Sequence, residues 1–142
     1  MRIVRTASVA WKGGMKDGVG SVSTQSKALA DHPYGFASRF EGVAGTNPEE
    51  LIGAAHASCF TMALAMILEQ AGHPAKHLET TAKVTLESVD DGFAITGSAL
   101  SLKASVPGLD VGTFTELATN AKQGCPVSKA LSVPVTLSVE LV

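Results

Sequence analysis

The sequence predicts an α+β domain with the element order β-β-β-α-β-β-α-α-β. Three observations point to it. Apolar and polar residues alternate near the beginning, in the middle and at the end of the chain. One long apolar run, opened by Thr46-Asn47-Pro48-Glu49-Glu50, has the start signal and the length of a buried helix. Gly124-Cys125-Pro126 then separates an amphipathic helical pattern from a short helix behind it.

Taken in order, residues 2–11 place Ile3, Val9 and Trp11 on one side and Arg2, Thr6 and Ser8 on the other, which predicts a strand. Gly13-Gly14 through Asp17-Gly18 turns the chain, and Val19–Ser23 pairs back as a hairpin. Lys27–Ala30 is the expected third strand, and 31–45 is read as a loop carrying Arg39 between Phe36 and Phe40. A capping box of Thr46 and Glu49 opens a helix that runs to about Ala71 and stops at Gly72. This helix is apolar nearly all round, so a small sheet cannot cover it, and a second copy of the helix is expected beside it. Residues 78–89 and 93–106 alternate around Asp90-Asp91-Gly92 as two long strands. Val111, Phe114, Leu117, Ala118 and Ala121 mark the amphipathic helix, 126–131 the short one, and Val133 to Leu141 the last strand.

The length of 142 residues suits one domain spanning 1–142. Hydrophobic residues make up 45% and charged residues 17%, which argues against disorder and for apolar surface covered by a partner chain. A net charge of −2 without a Lys/Arg run gives no electrostatic support for nucleic acid or an anionic membrane as partner. The stretch from Leu51 to Leu68 is interrupted by His56, Ser58 and Thr61, which counts against a membrane span. The opening MRIVRTASVAWK alternates instead of forming an apolar block, so a cytoplasmic location with reduced cysteines is expected.

Two cysteines are the candidates for chemistry. Cys59 lies within the apolar helix, where a thiol is either inert core or, with a cation close by, a reactive thiolate. Cys125 stands at a helix start, where free N–H groups favour an anion, so local sequence gives it the better claim to a lowered pKa. His56 precedes Cys59 by one helical turn; with no second pair at ligand spacing, no metal is expected, and His56 is read as a polar group lining the space that Cys59 faces. No phosphate loop or other cofactor motif occurs, so no cofactor is implied.

Gly35-Phe36, Arg39-Phe40-Glu41-Gly42, the block TNPEELIGAAHASCFTMAL and the block NAKQGCPVSKAL resemble the osmotically inducible protein C (OsmC) family, whose sister group is the organic hydroperoxide resistance (Ohr) proteins. The resemblance extends to the opening A-x-W-K-G-G and the closing V-x-L-x-V, and His56 and the R-F-E-G loop place it nearer the OsmC branch. It implies an intertwined homodimer, with two central helices enclosed by sheets from both chains. It also implies a thiol peroxidase acting on organic hydroperoxides and hydrogen peroxide in stress defence. By this resemblance Cys59 is the peroxidatic cysteine, Cys125 the resolving cysteine, and Arg39 and Glu49 complete the catalytic site, with Lys16 a second-choice cation. His56, Phe40, Phe60 and Met62 are then the expected substrate-contacting residues, and an external dithiol of dihydrolipoamide or thioredoxin type the reductant. A continuous helix would separate Glu49 from Cys59 by about 15 Å, so either the helix breaks near Gly53 or the site is assembled from two chains. The competing reading is a thiol redox sensor or interaction protein without rapid turnover.

Overall fold

A computed structural model describes all of residues 1–142, which form two compact units, Met1–Leu51 and Ile52–Val142. In the first unit, the alternating opening becomes β1 (Ala7–Lys12), which pairs antiparallel with β2 (Val19–Thr24), and β2 with β3 (His32–Tyr34). Trp11 on β1 lies opposite Gly20 on β2, and Tyr34 lies on Gly20's other side. A Cβ at Gly20 would come within 2.7 Å of either ring, so glycine there lets Trp11 and Tyr34 close to 5.5 Å between centroids. A short helix, α1 (Phe36–Phe40), follows, and Ser38 Oγ ties its start to the next segment by donating to the Thr46 carbonyl at 2.9 Å.

The boundary between the units falls one turn into α2 (Pro48–Gln70), the helix opened by the proline and the acidic pair. In the second unit, β4 (His77–Val89) and β5 (Gly92–Ser105) form a long antiparallel hairpin. Helices α3 (Val111–Gly124) and α4 (Pro126–Ala130) then carry the chain over to β6 (Val135–Leu141), which pairs parallel with β5. Parallel neighbours need such a crossover, and two helices supply it. Asp110 caps α3 by accepting from Thr113 N–H at 2.9 Å. The core gathers Phe60, Leu64 and Leu68 from α2, Leu100, Leu102 and Ala104 from β5, and Phe114, Ala118 and Ala121 from α3. On α2 the sealed positions His56, Phe60, Leu64 and Leu68 recur every fourth residue and form one stripe. Length and composition alone would let α2 cross a bilayer, yet this stripe is buried against protein.

Four details differ from the sequence expectation. The third strand is His32–Tyr34, not Lys27–Ala30, because Lys27 and Asp31 adopt left-handed backbone (φ +67° and +51°) while His32, preceding Pro33, is held extended. The proline is tolerated because β3 is an edge strand. Residues 36–40 of the expected loop are helical, adding α1 to the element order. The first strand begins at Ala7, and all its residues are solvent-exposed. Finally, the cap of α2 is Asn47, whose side-chain oxygen accepts from Glu50 N–H at 2.8 Å; Thr46 Oγ1 instead donates to Glu50 Oε2 at 2.9 Å. The cap thus sits one residue later than the Thr46–Glu49 box, and Glu49 is released for another partner. Gly53 does not break α2; it sits at 3.4 Å from the Ala82 carbonyl, close enough that a larger residue would crowd β4.

Phe114 is fully buried at the centre of the second unit. Phe114→Ala should lower the unfolding free energy by about 3–5 kcal/mol; chemical denaturation checks this.

Candidate functional site

Glu49, left free by the Asn47 cap, binds Arg39 of α1. Arg39 Nε donates to both carboxylate oxygens at 3.2 and 3.3 Å, and Nη2 donates to Oε1 at 2.7 Å. The guanidinium side chain is 34% exposed and the carboxylate 11%, so the pair is partly shielded from water. A two-pronged contact of this kind fixes the plane of the guanidinium as well as its position. The Phe40 ring lies 5.4 Å from Arg39 Cζ. Arg39 and Phe40, with Trp11, Met15, Tyr34 and Phe36, line a cavity of about 190 Å³ in the first unit. Lys16 stands over the Phe36 ring at 5.8 Å.

In the second unit, Cys59 of α2 and Cys125 at the α3–α4 junction are both free thiols. Cys125 is fully buried and Cys59 half-buried. Cys59 packs against the core cluster that contains Cys125, and the two thiols bear on each other's ionisation. Cys125 ends α3 and begins α4, because its extended backbone (φ −60°, ψ 123°) and the following proline stop one helix and start the next. Burial by itself would raise the Cys125 thiol. The Cys59 thiol, the Ser128 and Val127 N–H groups and the Ser128 hydroxyl more than offset this and hold it below the 9.0 of an ordinary thiol. Cys59 moves the other way: burial raises it first, and the Cys125 sulfur beside it raises it further. Within one chain, therefore, the surroundings favour the thiolate form more at Cys125 than at Cys59. This matches what the helix start predicts and runs against the order of attack that the family resemblance implies. Two neighbouring thiols can, in either order, form a disulfide.

His56 does not face open space. It is 0% exposed, with Nδ1 at 2.7 Å from Ser98 Oγ and Nε2 at 2.8 Å from Ser128 Oγ. Burial lowers its pKa, so the ring is neutral. Phe60 is likewise sealed in the core, at 0% exposure. Of the four expected substrate-contacting residues, Phe40 lines the cavity beside Arg39. Met62, 76% exposed, lines a shallow apolar groove on α2 with Ala54, Ala57, Ser58, Thr61 and Ala65. Ser98 and Ser128 were not singled out from the sequence; serines 42 and 72 residues away from a histidine carry no local signal. No cluster of three or more His, Cys, Asp or Glu side chains is placed to hold a metal ion.

Comparison with known proteins shows the family of this chain. The family described as OsmC-like protein matches residues 40–140. The peroxiredoxin OsmC of Escherichia coli (strain K12) is 51% identical over 141 residues, covering 99% of both chains. The organic hydroperoxide resistance protein OhrB of Bacillus subtilis is 34% identical over 102 residues, covering 71% of this chain and 73% of its own. The crystal structure of that OhrB superposes with a TM-score of 0.68 at 29% identity, covering 96% of this chain and 98% of its own. An OsmC-like protein of unknown function from Vibrio cholerae shares the fold, with a TM-score of 0.76 at 14% identity over 98% of this chain and all of its own. A family match over most of the chain, and a relative half identical along its full length, show that this chain belongs to the OsmC-like family, with the Ohr proteins as its wider kin.

Proposed function

We propose that this chain is a thiol-dependent peroxidase of the cytoplasm that reduces organic hydroperoxides and hydrogen peroxide through Cys59, with Cys125 as the resolving thiol. The observation that carries this reading is the proximity of the chain's only two cysteines in one core cluster, in a member of a family whose relatives are named for peroxiredoxin activity and for organic hydroperoxide resistance. The Cys59 thiolate attacks the terminal oxygen of the hydroperoxide. The O–O bond breaks, the departing alkoxide takes a proton and leaves as alcohol (or as water), and Cys59 becomes a sulfenic acid. Cys125 attacks the sulfenyl sulfur, the S–O bond breaks, and hydroxide leaves with the proton that Cys125 gave up, as water. An external dithiol of dihydrolipoamide or thioredoxin type then reduces the disulfide by exchange.

This order needs a cation at Cys59 to overcome the bias of the isolated chain toward Cys125. Arg39, oriented by Glu49, is our candidate, since a fixed guanidinium stays charged and donates along two directions. Glu49 and Cys59 belong to one unbroken helix, about 15 Å apart along its axis. We therefore place the Arg39–Glu49 pair of one copy at Cys59 of a second copy, in a homodimer. The solvent-facing apolar residues Met62, Met66 and Ala65 of α2, too apolar for an isolated surface, support the same dimer. Phe40 and Met62 are the residues we assign to the organic tail of the substrate.

Four measurements test the reading. Cys59→Ser should abolish turnover of cumene hydroperoxide, whereas Cys125→Ser should still consume about one equivalent of peroxide per thiol before stopping; the reverse result would exchange the two roles. Slow consumption by the unaltered protein, with either dihydrolipoamide or thioredoxin as reductant, would favour a redox switch. Arg39→Gln should lower kcat/KM by about 100-fold or more. When Arg39→Gln and Cys59→Ser chains are mixed and allowed to exchange partners, a site built across the dimer should restore about a quarter of wild-type activity, because half of the dimers are mixed and each carries one intact site. A site built within one chain restores none.

A further inference from the structure

Helix α4 is five residues long, and none of them is fully buried. A helix this short is not stable on its own, so contacts with the rest of the unit must hold it. Cys125, at its start, supplies no side-chain cap. Its backbone bonds run within its own turns and back to α3, through Cys125 N–H on the Ala121 carbonyl at 2.9 Å. Val127 packs against the core. The one side-chain hydrogen bond from α4 to another element joins Ser128 Oγ to His56 Nε2 of α2 at 2.8 Å, across 72 residues of chain. His56 is itself pinned from the far side, with Nδ1 at 2.7 Å from Ser98 Oγ. Ser98, 2% exposed on β5, has its N–H on the Pro134 carbonyl at 3.0 Å. A serine hydroxyl both donates and accepts, so either neutral tautomer of His56 keeps both bonds.

The spacing on the two helices matches. His56 stands three residues before Cys59 on α2, and Ser128 three residues after Cys125 on α4. Residues three apart on a helix share a face. The His56–Ser128 bond therefore joins the same two segments one turn away from the cysteines, and Cys59 packs against the cluster that contains Cys125. We propose that this bond is a clamp that fixes the register of α4 against α2 and so keeps Cys125 within disulfide reach of Cys59. A disulfide tolerates only about 4.4–6.8 Å between Cα atoms, and a slip of α4 by one turn, about 5.4 Å, would exceed that range. His56 and Ser128, with Ser98 behind them, are positioning residues: they act through the place they give Cys125. The step served is the resolving one, in which an S–S bond forms as the S–O bond of the Cys59 sulfenic acid breaks. Hydroxide leaves and becomes water with the proton given up by Cys125. The clamp deepens the reading above and rests on Cys59 and Cys125 forming the disulfide.

The test has two arms. In the first, one equivalent of cumene hydroperoxide is mixed with reduced protein, and the loss of trappable sulfenic acid is compared with the loss of peroxide. In the second, reduced protein is equilibrated with oxidised glutathione, one glutathione disulfide being reduced to two thiols as the Cys59–Cys125 bond forms. Ser128→Ala should lower both the ratio of rates and the equilibrium constant by about tenfold, the worth of one neutral hydrogen bond. His56→Leu should do the same. Ser128→Thr, which keeps the hydroxyl, and His56→Gln, whose amide can still reach Ser128, should recover part of both. A merely structural role would lower stability and move neither readout. Ser128 is half-exposed, so Ser128→Ala decides if the core variants do not fold. A ratio or an equilibrium constant within about twofold of the parent in Ser128→Ala would overturn the clamp. The glutathione arm does not depend on which thiol meets the peroxide. If Cys59→Ser still consumes peroxide, the roles of the two cysteines are exchanged and the glutathione arm alone decides the clamp.

Discussion

The buried stripe of α2 fixes everything else in the second unit. His56, Phe60, Leu64 and Leu68 follow one another at four-residue intervals and are all sealed from solvent, so the rotation of the helix about its axis is set by core packing. Once Phe60 is locked among Leu100, Phe114 and their neighbours, its chain neighbour Cys59 can only lie on the flank that meets Cys125. A quarter-turn of the helix would move the sulfur away and leave a histidine unsatisfied. Packing and chemistry are thus specified by the same residues.

The polar groups of interest are neutral in the second unit and ionic in the first. The Cys59 thiol, followed by the Ser128 and Val127 N–H groups and the Ser128 hydroxyl, holds the Cys125 thiol below its ordinary value against the effect of burial. Arg39 and Glu49 form an ion pair in the other unit, planar and held at both ends. Neutral donors suit a buried sulfur because they cost less to desolvate than an ammonium or guanidinium would. The ion pair suits a half-open position, where water shares the burden of hydration.

Part of the fold was legible from local pattern. The hairpin of β4 and β5, the amphipathic α3, the break at Cys125-Pro126 and the final strand each follow from periodicity or from glycine and proline placement. The misreadings share a cause. Thr46 and Glu49 have capping spacing, but so do Asn47 and Glu50, and the tie from Ser38 to the Thr46 carbonyl belongs to tertiary structure. The third strand was placed among Lys27–Ala30 because backbone handedness at Lys27 and Asp31 leaves no mark in composition. That Arg39 and Glu49 belong together came only from resemblance; their contact joins two helices ten positions apart.

What the sequence determined by itself is local: which stretches alternate, where helices start and stop, and that two cysteines stand in a chain otherwise without metal or cofactor motifs. What the tertiary structure decided is which side chains share a neighbourhood. Ser98 and Ser128 come to His56 from β5 and α4, and Cys59 comes to Cys125 from a different helix. The physical reason is that periodicity reports the face a residue occupies on its own element. The partner opposite that face is chosen by how several elements pack at once, over sequence separations at which no local pattern survives.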